Sequence, residues 1–243
     1  MKVSALIPAK GFANAKQRLS QLLRLEEREI LAEAMFRDVL RQVLSARGLE
    51  ESFVVTGDAK VSEIATAFGT RVIREEKEQG ETEAVVFALE EVKRRTIEIV
   101  LILPGDIPLI HSSDVELLLE HASEYDLKKP FALLVPSHDR MGTNGLLLSP
   151  PDVIRLRFGY DSFSYHLRQV AARRLPLRVV ENERIGLDID EPKDLERFIE
   201  FAARLGPNES RDRIPASARE TYSRLRELGI VDGVQKTQRS EGL

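Results

Sequence analysis

Residues 97–106 read IEIVLILPGD. All but one of the first seven are apolar, and the run stops at Pro104-Gly105. A short apolar run bounded by turn residues is the pattern of a strand buried on both faces, which occurs when helices cover both sides of a parallel sheet. Working outward, the same punctuation recurs. Residues 3–7 form an apolar run ending at Pro8, and residues 52–56 (SFVVT) form another closed by Gly57-Asp58. Further strand patterns fall at 70–74, 131–136 and 175–180, and residues 142–148 read as loop then strand. Between them lie helical patterns at 25–46, 59–68, 84–95, 114–125, 161–174 and 192–204, the last with Pro192 in its first turn. Leu31, Met35, Val39 and Val43 share one stripe of the first helix. The alternation predicts an α/β fold: a Rossmann-like, mostly parallel sheet with helices on both faces, over residues 1–205. Residues 206–243 are polar and read as an extension with one short helix near residues 222–230 and a disordered end.

The chain has 243 residues, 42% of them hydrophobic, enough to bury a full core. Its formal net charge of −4 argues against a nucleic-acid partner. It contains no cysteine, which removes disulfides, thiolate metal sites and cysteine nucleophiles, and fits a reducing cytoplasm. No stretch approaches the roughly 18 apolar residues of a membrane span, and the N-terminus reads as a first strand rather than a signal peptide.

In such sheets ligands sit beyond the carboxyl ends of the strands, and there the sequence becomes unusual. After the first strand come Pro8, Ala9, Lys10, Gly11, Ala15, Lys16 and Arg18. Small residues expose backbone N–H groups, and three cations could neutralise a triphosphate; GxxxxGK[ST] is absent. The same loop reads equally as a solvated basic turn. Asp106 follows the buried strand, where it could hold Mg²⁺ between phosphates; a Pro-Gly turn also favours Asp for its own sake. In IGLDIDEPKDL, Asp188 and Asp190 are two apart, so an extended segment would aim both at one cation, although Asp190 could equally cap the following helix. An Asp after each of two strands is a common way to assemble a Mg²⁺–phosphate site. Finally, Gly142-Thr143-Asn144-Gly145 and Phe158-Gly159-Tyr160-Asp161-Ser162-Phe163 are glycine-containing turns. Ser162, near a helix start, could receive a phosphate or carboxylate, or simply cap. His111, His121, His138 and His166 show no metal spacing; His166 lies one turn after Ser162 and reads best as a packed histidine.

The blocks IPAKGFANAKQRLS, LPGDIPL, GTNGLLLSPPDVIRLRFGYDSFSYHLRQVA and GLDIDEPKDL together resemble the guanylyltransferases that make the phospholactyl-guanosine-type precursor of coenzyme F(420). These sit within the wider group of nucleotide-diphospho-sugar and molybdopterin-type nucleotidyltransferases. The resemblance covers about residues 3–203. It implies that the phosphate of 2-phospholactate, phosphoenolpyruvate or 3-phosphoglycerate attacks the α-phosphorus of GTP and releases pyrophosphate, with Mg²⁺ as cofactor. On that resemblance Asp106 and Asp188, with Asp190 beside them, are metal ligands. Thr143, Asn144, Gly159 and Ser162 contact the acid. Lys10, Lys16 and Arg18 act on the triphosphate beside Pro8 and Ala9. The chain departs from the family at Gly80-Glu81-Thr82-Glu83-Ala84, where a Leu-Asn-Ala-type run is usual; Thr82 and Glu83 are expected at the base. Two other readings stand beside this one: a related enzyme using another nucleotide on a sugar or cofactor phosphate, and a non-catalytic nucleotide-binding regulator. A homodimer through Leu225 and Leu228 of the tail is also left open.

Overall fold

The computed structural model describes residues 2–77, 79–126, 129–205 and 217–233. The elements run β1 (Val3–Pro8), α1 (Leu25–Ser45), β2 (Glu51–Thr56), α2 (Ala59–Ala67), β3 (Arg71–Arg74), α3 (Glu81–Arg94), β4 (Ile99–Ile102), α4 (Ser112–Ser123), β5 (Phe131–Pro136), β6 (Thr143–Ser149), α5 (Ser162–Ala172), β7 (Leu177–Val179), α6 (Pro192–Leu205) and α7 (Arg219–Glu227). The strands form one sheet in the order β3-β2-β1-β4-β6-β5-β7. Pairs β1–β2, β1–β4, β2–β3 and β5–β7 are parallel. β6 runs antiparallel to both β4 and β5. The expected mostly parallel α/β sheet is present, with one reversed strand near its middle.

Helices cover both faces because the central strands are buried on both. Every residue of β1, β4, β5 and β6 is buried. Alternate β4 residues serve opposite cores: Ile99 and Leu101 pack with Leu31, Met35 and Val39 of α1, and Val100 and Ile102 pack with Val85, Ala88 and Val92 of α3. No described helix is long and apolar enough to cross a membrane.

The tail contributes α7, which lies on α1. Asp38 of α1 is fully buried and accepts hydrogen bonds from the Thr221 amide and hydroxyl (both 2.8 Å) and the Glu220 amide (3.2 Å). Tyr222 and Leu225 join the main core, so Leu225 is used within the chain rather than offered to a second copy. The disordered end expected of the tail lies outside the described residues.

Two expectations need correction. α3 begins at Glu81, three residues before the expected start, so Glu81, Thr82 and Glu83 form its first turn. Asp188 does not follow a strand: β7 ends at Val179, and residues 181–190 are irregular.

Candidate active site

β1 delivers the chain at Pro8 to the carboxyl edge of the sheet. Two short 3-10 turns follow, Phe12–Asn14 and Gln17–Leu19. A Cβ at Gly11 would lie 2.7 Å from Oδ2 of Asp58, so a larger residue there would press on the side chain that caps α2. Lys16 takes a left-handed backbone conformation (φ 54), which costs a non-glycine residue on the order of 1 kcal/mol. Its Nζ donates to Asp106 Oδ2 at 2.5 Å and Asp190 Oδ1 at 2.7 Å. The Lys16 side chain is 7% exposed while Asp106 and Asp190 keep 31% and 49%, so the cation is buried beneath carboxylates that still face solvent. Burial opposes the Lys16 charge, but the two carboxylates outweigh it and hold its pKa well above the ordinary value. Arg28 of α1 donates from Nη1 to the Ala15 carbonyl (3.1 Å) and so ties this loop to the first helix.

Asp106 and the segment bearing Asp188 and Asp190 are joined by a backbone hydrogen bond from Ile189 N to Asp106 O (3.2 Å). The two tail-side aspartates then diverge in role. Asp190 pairs with Lys16; burial would raise its pKa, but the ammonium holds it below the usual range. Asp190 does not cap α6 with its side chain. Asp194 reaches back instead, accepting from the Asp190 and Glu191 amides at 3.0 and 2.9 Å. Asp188 accepts from Asn144 Nδ2 (2.9 Å), and burial together with the Asp106 charge pushes it up to about 7. The segment is anchored behind: buried Asp114 accepts from Asn182 Nδ2 (2.9 Å) and Arg184 Nε (2.7 Å), and Asn182 in turn holds the Arg184 and Ile185 amides.

Among the described residues no group of three His, Cys, Asp or Glu side chains converges as a ready metal cage. The donor set nonetheless suits Mg²⁺, which is commonly held by one or two carboxylates plus substrate phosphates. Lys16 shows that a cation is accommodated between Asp106 and Asp190.

The third block assembles around His166. Its Nε2 accepts from the Arg157 amide (3.2 Å), so Nδ1 carries the proton and donates to Thr143 Oγ1 (2.9 Å). Burial, then the Arg157 charge, lower the His166 pKa to about 4, so the ring is neutral. Ser162 Oγ accepts from the Thr143 amide (2.9 Å). Gly159, at φ +91, accepts from the Ser162 amide (3.1 Å). Thr143, Ser162 and His166 thus form one buried network, and Asn144 links it to Asp188. The other histidines do local work: His111 caps α4, His121 pairs with Glu124, and His138 lies 4.0 Å from Asp194.

A cavity of about 590 Å³ opens over the β1 loop. Pro8, Ala9, Lys10, Lys16, Asp106 and Asp190 line it, as do Gly80 and Glu81. Arg18 is exposed and not on this wall, though its charge helps lower Asp190. Thr82 and Glu83 do not line it either. The Thr82 hydroxyl accepts from the Phe158 amide (2.9 Å), stitching α3 to the Gly159 loop, and Glu83 is exposed. The residue that does face the cavity is Glu81, which the sequence reading passed over. Burial and Asp106 push its carboxyl up to about 7. The signal available was Gly80, whose φ of +119 lets the helix start early without a Ser, Thr or Asp cap.

A family model described as "Guanylyl transferase CofC like" matches residues 3–203. The chain is 38% identical over 202 residues to a phosphoenolpyruvate guanylyltransferase of Rubrobacter xylanophilus, covering 82% of this chain and 94% of that one. It is 37% identical over 203 residues to a 2-phospho-L-lactate guanylyltransferase of Methanothermobacter thermautotrophicus, covering 82% and 85%. Among solved structures, a candidate nucleotide-diphospho-sugar transferase from Desulfovibrio desulfuricans G20 superposes with TM-score 0.72 at 19% identity, over 97% of this chain and 98% of that one. A cytidylyltransferase from Leptospira borgpetersenii gives TM-score 0.60 at 17% identity over 96% of each chain. At these identities the structures speak for the fold.

Proposed function

The chain belongs to the CofC-like guanylyl transferases, a nucleotidyltransferase family, and from that premise we propose that it joins GTP to a three-carbon phospho-acid and releases pyrophosphate, in the cytoplasm and on the route to coenzyme F(420). The observation that carries this is the Lys16 ammonium held between Asp106 and Asp190 at the wall of a cavity large enough for a nucleotide.

The acid's phosphate is already an anion, so no side chain has to remove a proton from it. One of its oxygens forms a bond to the α-phosphorus, the bond from that phosphorus to the bridging oxygen breaks, and pyrophosphate leaves with the electron pair. Catalysis is then positioning and charge neutralisation. Lys16 stays protonated throughout and holds Asp106 and Asp190 in place by bridging them. Lys10, on the cavity wall, adds charge near the phosphates. Thr143, Ser162 and neutral His166 are buried, bonded to one another and absent from the cavity wall, so they position the start of β6, and Asn144 there fixes Asp188. Asp106 and Asp190, with Asp188, would hold Mg²⁺, which would supply further charge neutralisation on the phosphates.

Phosphoenolpyruvate and 2-phospholactate carry the same phosphate and carboxylate and differ in whether the C2–C3 bond is double or single. The two relatives named for them are almost equally similar to this chain. Both acids therefore stand as substrates, with 3-phosphoglycerate as a third to be tried. The test is mass detection of the guanosine-diphospho-acid with wild type and with Asp106→Asn. The wild type should form it, and the variant should lose turnover by about 10²-fold or more. Substantial turnover by the variant would remove Asp106 from the reaction.

A further inference from the structure

The acidic side chains on the cavity wall are not equivalent. Asp106 and Asp190 are engaged by Lys16. Asp58 caps α2, accepting from the Val61 amide at 2.8 Å. Glu75 has its own partner. Glu81 differs: it is partly buried and lines the cavity. Among the described residues nothing donates a hydrogen bond to its carboxylate. A carboxylate that is partly withdrawn from water, faces a cavity and has no protein donor is open to a ligand that donates to it. It stands in the first turn of α3, directly after Gly80, on the same wall as Pro8 and Ala9.

A carboxylate accepts and cannot donate, so its match is a ligand edge with two adjacent donors. Guanine presents one, N1–H beside the 2-amino group. Adenine and cytosine place an acceptor next to their amino group, and uracil flanks its single N–H with two carbonyls. We propose that Glu81 determines nucleotide specificity, accepting from N1–H and the 2-amino group of guanine. This moves base reading from Thr82 and Glu83, which face elsewhere, to Glu81. It rests on the reading above for the identity of the nucleotide.

The test is calorimetric binding of GTP and of ITP, which lacks the 2-amino group, to the full chain with Mg²⁺, for wild type, Glu81→Gln and Glu81→Ala. Wild type should bind GTP at least about tenfold more tightly than ITP, and both variants should bring that ratio close to one by weakening GTP. A ratio near one in wild type, or one preserved in both variants, overturns the assignment. So does a variant that shifts the Mg²⁺ requirement while keeping the ratio, since Glu81 would then serve a cation. Parallel pyrophosphate assays separate the two claims. Turnover of GTP by wild type with the ratio unchanged in the variants sinks Glu81 alone. Glu81-dependent guanine binding without turnover by wild type sinks the proposed reaction alone.

Discussion

Lys16 is held in an unfavourable backbone conformation by the loop around it, and its charge is buried between two carboxylates. Removing it leaves Asp106 and Asp190 facing each other without their counter-ion. Lys16→Ala is therefore expected to lower the rate of pyrophosphate release by about 10²–10³-fold, measured under saturating GTP; a loss under tenfold would make Lys16 a structural ion-pair partner only. His166 gives a pH prediction. Its folded pKa of about 4 lies below the unfolded value of 6.5, so the unfolded chain binds the proton more readily. The contribution is fully present above pH 6.5 and is lost as the pH falls toward 4, by on the order of 3 kcal/mol. Denaturant unfolding of wild type and His166→Gln across that window checks it: wild type should lose more stability than the variant on acidification, and parallel losses would contradict a buried neutral ring. At this scale the sequence disclosed the residues that follow strands. Lys16 and Asp106 lie in the segments after β1 and β4, whereas Asp190 lies in the irregular segment before α6 and is brought to them by the backbone bond from Ile189 to Asp106. It concealed Glu81, Arg28 and Asp114, whose work depends on neighbours more than ten residues away, and it overread Glu83, whose carboxylate suits a base but faces outward.

The elements divide along similar lines. Strand and helix positions were legible from apolar periodicity, but the direction of β6 was missed. The signal was present: only residues 137–142 separate β5 from β6, too few for a crossover to a parallel strand, which takes a dozen or more. The reversal places Thr143 and Asn144 at the start of β6, beside Asp188, and so joins the acid block to the carboxylates. The extension's helix was visible as a faint periodicity, but not its docking site, because its anchor is a buried Asp38 within an otherwise ordinary helix pattern. α1 carries α7 on one side, and on the other its Phe36 packs near Gly105 of the Asp106 loop. Asp38→Ala leaves the Thr221 and Glu220 amides without their acceptor, and is expected to destabilise by about 3 kcal/mol. Hydrogen exchange should show residues 219–228 opening first. Unchanged protection there would mean that apolar packing by Tyr222 and Leu225 suffices.

For the whole molecule, the functional residues come from distant parts of the chain and meet at one edge of one sheet. The β1 loop, the residues after β4, the start of α3, the β6 start and the segment before α6 all converge there. This is what an open α/β sheet does with its strand ends, and it explains why motifs scattered over the sequence could be read together. Chelation of divalent metal should abolish turnover and leave the folded state intact, because Lys16 already bridges Asp106 and Asp190; circular dichroism with and without EDTA separates the two effects, and unfolding on chelation would instead make the metal structural. The most direct test of the central claim is pyrophosphate release by the purified protein with Mg²⁺, crossing GTP, ATP, CTP and UTP against phosphoenolpyruvate, 2-phospholactate and 3-phosphoglycerate. The account predicts release with GTP and one or more of these acids and little with the other nucleotides. Release with another nucleotide in preference to GTP, or with none of the pairs, would contradict it.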